Sequence, residues 1–231
     1  MINKICVLVI ARNELENIKL VYRRLQEVVS HCGVDCLYID GKSTDGTVDF
    51  LRVNNIPYMQ QNYPGRGGAI RTGFELPGYD AFIVYSPDGN ENIEDLPIFM
   101  EKLYDGAALV IASRMMPGAW NEEDSQKLKL RKWANNVFNL IANFAFNKGP
   151  YITDSINGFR AITIEALNEI ELTAYDYTIE YQMTMRSMKK GLKIVEFPTV
   201  EGNRVYGVTG APSIPTGVAF IKRFISEYFN K

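Results

Sequence analysis

A repeated order of short apolar run, polar turn and helix-patterned stretch constrains this chain more than any other feature. Residues 5–10 (ICVLVI) are apolar without a break, as a strand buried on both faces requires, and Arg12-Asn13-Glu14 follows almost at once. Residues 14–29 then carry Leu15, Ile18, Val21, Tyr22, Leu25 and Val28 at helical spacing. The same pattern predicts further strands over residues 36–40, 57–60, 81–85 and 107–112, with helices over 47–53, 69–75 and 96–104. Strands separated by helices need crossover connections. The fold class is therefore α/β, a Rossmann-like, mostly parallel central sheet with helices on both faces. Ligands of such sheets bind beyond the carboxyl ends of the strands, and the loops after Ile10, Asp40, Tyr85 and Ala112 all fall at that edge.

The second half differs in texture. A long amphipathic helix is predicted over residues 127–146, followed by a segment at 154–161, a helix at 178–190, a strand at 193–200, a loop at 204–210 and a terminal helix at 217–229. No repeat, low-complexity tract or linker divides the 231 residues, and 46% hydrophobic content suffices for a single core, so one domain over 1–231 is expected. The 25 Lys and Arg against 27 Asp and Glu give a net charge of -2, which offers no electrostatic case for nucleic acid. Cys6, Cys32 and Cys36 cannot all pair, which fits a reducing compartment, and His31 with Cys32 and Cys36 reads as core or surface rather than as a metal set. No apolar run reaches the ~18 residues of a spanning helix. The expectation is a cytoplasmic protein, at most peripheral at the cytoplasmic face of the membrane.

Taken singly, the polar motifs admit bland readings. Gly65-Arg66-Gly67-Gly68 lacks the Lys-Ser/Thr of a phosphate-cradling loop and reads as a helix-opening turn, with Arg66 and the helix amides as an anion option. Asp40 before a Gly/Ser/Thr-rich turn suits a side-chain-capped turn, with Asp45 as a helix cap, or an acceptor offered to a nucleoside. Ser86-Pro87-Asp88-Gly89-Asn90 is either a β-turn or a pair of oxygen ligands, Asp88 and Asn90, for Mg²⁺ or Mn²⁺.

In order along the chain, these motifs are joined by Ser113-Arg114, Asp154-Ser155-Ile156-Asn157-Gly158-Phe159-Arg160 and Arg204-Val205-Tyr206-Gly207. The series resembles the family-2 glycosyltransferases of GT-A fold, in particular the dolichyl-phosphate mannosyltransferase-like branch. The resemblance implies a nucleotide-sugar-binding half over about 1–113 and an acceptor-facing half over about 114–231. It implies that Ile10, Arg12 and Glu14 hold the donor nucleoside, with Ile39, Asp40 and Gly41 at the base. Ser86, Pro87, Asp88 and Asn90 would form the metal segment, and Arg114 and Arg204 would neutralise the diphosphate. Arginine suits that duty because its charge is permanent and its fork binds phosphate oxygens bidentately. Asp154 is the candidate base or acceptor-orienting group, a turn cap being the alternative, and Glu180 is a weaker one.

This chain departs from the family pattern at four places. Ser86 stands where the family usually has the first Asp of Asp-x-Asp, Gly41 where it has a second acid, Arg12 where it has Tyr, and Gly210 where a lysine is expected. The first weakens cation binding, and the changes at 12 and 41 leave the nucleobase open. The implied activity is metal-assisted transfer of a sugar, with inversion, from a nucleotide-sugar donor to a lipid-linked (polyprenyl) phosphate or to a glycan hydroxyl. The incomplete Asp-x-Asp motivates an alternative, a nucleotide-sugar-binding protein with little turnover. A nucleotidyltransferase is disfavoured because its glycine-rich signature loop is missing. Lys127, Lys129, Arg131 and Lys132 precede Trp133, Val137, Phe138, Ile141 and Phe144 on one helix, and Phe220, Ile221, Phe224, Ile225 and Tyr228 form a second apolar stripe. These stripes suit core or homodimer contacts, or a peripheral membrane surface.

Overall fold

The computed structural model describes residues 2–121, 124, 130–207 and 213–230. Seven strands form one sheet: β1 (Ile5–Ala11), β2 (Asp35–Asp40), β3 (Tyr58–Gln60), β4 (Ala81–Tyr85), β5 (Leu109–Ser113), β6 (Arg160–Thr163) and β7 (Ile194–Pro198). Their order across the sheet is β3-β2-β1-β4-β6-β5-β7, and every pairing is parallel except those of β6 with β4 and β5. The helices are α1 (Leu15–Cys32), α2 (Thr47–Val53), α3 (Gly65–Phe74), α4 (Leu96–Tyr104), α5 (Leu130–Phe146), α6 (Ile164–Ile170), α7 (Ile179–Lys190) and α8 (Ser213–Phe229).

The unbroken apolar run of β1 is explained by what covers it. Ile5, Val7 and Val9 face a core shared with Ile18 and Leu25 of α1, Leu51 of α2 and Phe99 of α4. Cys6, Leu8 and Ile10 face the opposite layer, with Ala69 and Ile70 of α3 and Ile179 of α7. A third cluster joins Leu109 and Ile111 of β5 to Phe138 of α5, Tyr181 of α7 and Phe220 of α8. Period-two alternation thus points every residue of the strand into protein.

Two predicted segments differ in the structure. Helix α3 begins at Gly65 rather than at residue 69, so the glycine run is its first turn rather than a preceding loop. The reason is close approach: a Cβ on Gly67 would stand 2.7 Å from the carbonyl carbon of Tyr175, and one on Gly68 2.4 Å from the carbonyl oxygen of Tyr63. These glycines admit neighbouring backbone and need no phosphate to account for them. The segment at 154–161 is mostly loop, with strand starting only at Arg160, and it enters the sheet antiparallel between β4 and β5. Asp45 caps two elements at once, its Oδ1 accepting from the N–H of Thr47 in α2 and its Oδ2 from that of Leu15 in α1. Lys127, Lys129 and Gly210 lie outside the described residues. No helix among the described residues is long and apolar enough to cross a membrane.

Candidate active site

The carboxyl ends of β1, β4, β5 and β7 open onto a cleft of about 700 Å³. Ile10, Arg12, Glu14, Arg66, Ser86, Asp88, Asn90, Arg114 and Arg204, all expected from the sequence, line it. Ile39, Asp40, Gly41, Pro87 and Asp154 do not. Asp40 is wholly buried, and its carboxylate accepts the Ser43 N–H at 3.2 and 3.3 Å, so it braces its own turn. Gly41 has a steric purpose, since a Cβ there would meet Arg12 Cβ at 2.9 Å and Cγ and Cδ at 3.2 Å. Positions 12 and 41 therefore compete for the same space, the nearest atom being the Cβ of Arg12 and the next its Cγ and Cδ.

Three arginines of the cleft, Arg114, Arg66 and Arg204, are held by carboxylates from a distant part of the chain. Arg114 donates Nε to Asp154 Oδ2 at 2.8 Å and Nη2 to Oδ1 at 3.1 Å, while Glu201 Oε2 lies 3.5 Å from Nε. Asp154 is 0% exposed and also accepts the N–H groups of Arg114 and Asn157. It stands behind Arg114, with its lone pairs engaged, and is not turned to the cleft. Burial alone would lower the pKa of Arg114, but Asp154 and Glu201 raise it further, so the cation is permanent. Arg66 donates Nε to Glu180 Oε1 at 2.8 Å, and here too Glu180 and Glu91 outweigh burial and raise its pKa. Arg204 reaches from the segment after β7, donating Nη1 to Asp88 Oδ2 at 2.9 Å and Nη2 to Glu14 Oε1.

Behind these, Arg160 is a buried structural cation. Its fork holds the carbonyls of Asn157, Glu180 and Ser155, fixing the loop that leads into β6, and burial lowers its pKa to about 10.

Sequence reasoning missed two acids of the cleft, Glu91 and Glu201. Glu201 follows β7, a parallel strand, so the carboxyl-end rule applied to that strand would have found it. Glu91 accepts the Ser86 N–H at 2.7 Å; burial first, then the charge of Asp88, pushes its pKa well above the ordinary carboxylate value. Asp88 Oδ1 and Asn90 Oδ1 are buried with no hydrogen-bond partner, and such orphaned oxygens fit a hard cation. Among the described residues no three His, Cys, Asp or Glu side chains form a cluster that could hold a metal by themselves.

A mostly parallel sheet with one reversed strand, and a polar cleft at its carboxyl edge, agrees with the GT-A fold. Glucosyl-3-phosphoglycerate synthase from Mycobacterium tuberculosis, solved with Mn²⁺, UDP and phosphoglyceric acid, has the same fold: TM-score 0.74 at 17% identity, over 98% of this chain and 78% of that one. Residues 6–170 match the profile of glycosyl transferase family 2, and the chain belongs to that family. It is 31% identical over 207 residues to undecaprenyl-phosphate mannosyltransferase of Micrococcus luteus, spanning 84% of this chain and 82% of the relative. It is 29% identical over 217 residues to polyprenol monophosphomannose synthase of Mycolicibacterium smegmatis, spanning 88% and 79%. These relatives put it in the dolichyl-phosphate mannosyltransferase-like branch.

Proposed function

We propose that this enzyme transfers a hexose from a nucleotide sugar to a polyprenyl phosphate, with inversion and with the help of Mg²⁺ or Mn²⁺. The observation that carries the reading is the meeting of Arg204, Arg114 and the orphaned oxygens of Asp88 and Asn90 in one cleft. Arginine forks suit the oxygens of a diphosphate, and Asp88 with Asn90 would hold the cation that neutralises the same group. When bound, the cation would stabilise charge on the departing nucleoside diphosphate. Arg114, preset by Asp154, would supply the same stabilisation without reorganising as the sugar leaves. Asp154 is then a positioning residue.

A phosphate acceptor is favoured over a glycan hydroxyl because it arrives already ionised. A hydroxyl needs a base, and Asp154, the acid the sequence offers for that task, is buried against Arg114. The relatives named for polyprenyl phosphates support the same choice. Helices α5 and α8 each carry a second apolar face beyond the one that packs inward. Phe138 and Phe220 are buried, while Trp133 and Phe144 are 69% and 92% exposed, and Ile221, Ile225 and Tyr228 are exposed too. Such doubly apolar helices support peripheral contact with the cytoplasmic face of a membrane, with a homodimer as the competing use.

Release of nucleoside diphosphate from GDP-mannose and UDP-glucose, with undecaprenyl phosphate in anionic vesicles and Mn²⁺ or Mg²⁺, tests the reading. Transfer dependent on the lipid phosphate and abolished by chelation is expected. Binding of a donor without turnover on any acceptor would leave a nucleotide-sugar-binding protein instead.

A further inference from the structure

The Asp-x-Asp pattern asks for two carboxylates, and position 86 provides none. The loop after β4 turns back so that the Glu91 side chain returns to the backbone of Ser86, accepting its N–H at Oε2. Ser86, Asp88, Asn90 and Glu91 all line the same cleft. The second oxygen of Glu91, Oε1, lies 3.7 Å from where a Cβ on Gly158, another residue of the cleft, would stand, a point 2.6 Å from Arg66 Nη2. Asp88 is 9% exposed with Oδ1 unpartnered, and the neutral Asn90 leaves its Oδ1 unpartnered beside it.

We propose that Glu91 supplies the carboxylate that Ser86 lacks, so that the cation is held by Asp88, Asn90 and Glu91 together with the donor diphosphate. This rests on the reading of the cleft as a cation-assisted donor site. Two carboxylates and an amide fall short of a cage complete in itself, which suits Mg²⁺ or Mn²⁺, ions that take a few protein oxygens and complete their shell with phosphate and water. Arg66 and Arg114 attract Glu91 across the cleft, but their hydrogen bonds among the described residues go elsewhere: Arg66 donates Nε to Glu180, and Arg114 is forked on Asp154. The competing account is that Glu91 only ties the loop through Ser86. Glutamine could do that equally well, because its amide oxygen accepts the same N–H.

Glu91→Gln therefore separates charge from loop geometry. Mn²⁺ binding would be followed by electron paramagnetic resonance, without nucleotide and with GDP or UDP, for the wild type, Asp88→Asn, Glu91→Gln and the double variant Ser86→Asp/Glu91→Gln. The expected result is Mn²⁺ affinity at least tenfold weaker in Glu91→Gln at an unchanged melting temperature, regained when Ser86→Asp is added. Wild-type affinity in Glu91→Gln, with loss in Asp88→Asn, would overturn the role of Glu91 and leave the cation site standing. No Mn²⁺ binding by the wild type under any of these conditions would overturn the cation-assisted reading itself.

Discussion

Replacing Asp154 by asparagine decides whether this buried acid is a base or the support of Arg114. The carboxylate takes four donors: Arg114 N–H at 3.1 Å, Nε at 2.8 Å and Nη2 at 3.1 Å, and Asn157 N–H at 3.2 Å. Asparagine accepts at only one oxygen and turns an NH₂ toward a guanidinium that also donates. Removing one partner of a buried ion pair costs about 3–5 kcal/mol. Glu201, 3.5 Å from Arg114 Nε, retains part of the compensation, so the lower end, about 3 kcal/mol, applies. At roughly 2–4 °C per kcal/mol for a chain of this size, the melting temperature falls by about 6–12 °C.

If Asp154 acts through Arg114, the Asp154→Asn variant also loses donor recognition. A misaligned fork worth about 2–3 kcal/mol lowers kcat/KM roughly 30- to 150-fold, with the donor KM rising. The decisive assay is the double-mutant cycle with Arg114→Ala. Once Arg114 is gone, Asp154→Asn should cost almost nothing more in kcat/KM. A general base gives the opposite pattern: kcat falls at constant KM, the two losses multiply, and the acidic limb of the pH–rate profile disappears. Multiplying losses would refute the positioning role.

Arg204→Lys should lower kcat/KM by about tenfold or more, since an ammonium cannot bridge Asp88 and Glu14, or two phosphate oxygens, as the fork does; steady-state kinetics with varied donor checks it. Gly41→Asp should weaken donor binding and stability through collision with the Arg12 side chain, nearest at its Cβ, and Arg12→Gly, which removes that atom with the rest of the side chain, should rescue the melting temperature of the Gly41→Asp protein where Arg12→Ala does so only in part. Glu227→Gln should cost about 2–3 kcal/mol at neutral pH, because Glu227 receives Arg186, Gln182 and Lys189 of α7 and so docks α8. Burial alone would raise the pKa of Glu227, but those donors outweigh it and lower it. A depressed folded pKa stabilises above the unfolded value and ceases to do so as pH falls through the folded one. The wild-type advantage over Glu227→Gln should therefore be constant above about pH 5 and shrink toward pH 3 in thermal melts.

What the sequence made legible was local. β1 and β4 follow from apolar runs, and the loops beyond them carry Arg12, Glu14, Asp88 and Asn90 into the cleft, because a parallel sheet delivers every such loop to one edge. Pairing across the chain was hidden. The partner of Arg114 is 40 positions away and that of Arg66 is 114 away, and neither spacing has a sequence signature. Strand β6 was hidden too, since four residues with an arginine at their head look like loop until Val84 and Ile111 flank them. The start of α3 was masked by glycines, whose poor helix propensity yields to the need to bring Gly67 and Gly68 against other backbone.

The pairs that fill the cleft also bear on how a donor enters it. Arg204, in the segment after β7, is drawn onto Asp88 and Glu14, which follow β4 and β1. Backbone bonds from Val205 to Asp88 and from Gly202 to Asn90 lay the same segment over the loop after β4. A diphosphate arriving with its cation would offer both partners of the Arg204–Asp88 bond a replacement. Phosphate oxygens would take the fork of Arg204, and the cation would take the carboxylate of Asp88. Each charge would exchange one opposite charge for another, so entry would not strand a largely buried ion without a partner, the costliest outcome. A free diphosphate offers Arg204 a partner but leaves Asp88 uncompensated, and a free cation does the reverse. Donor and cation should therefore bind with positive cooperativity, each raising the affinity for the other by the same factor. Replacing Arg204 with alanine should reduce that factor while strengthening the binding of Mn²⁺ alone, because Asp88 is then unpartnered from the start. Calorimetric titration of Mn²⁺ with and without GDP or UDP measures both quantities. Unchanged coupling in Arg204→Ala would mean that the bond to Asp88 plays no part in donor entry.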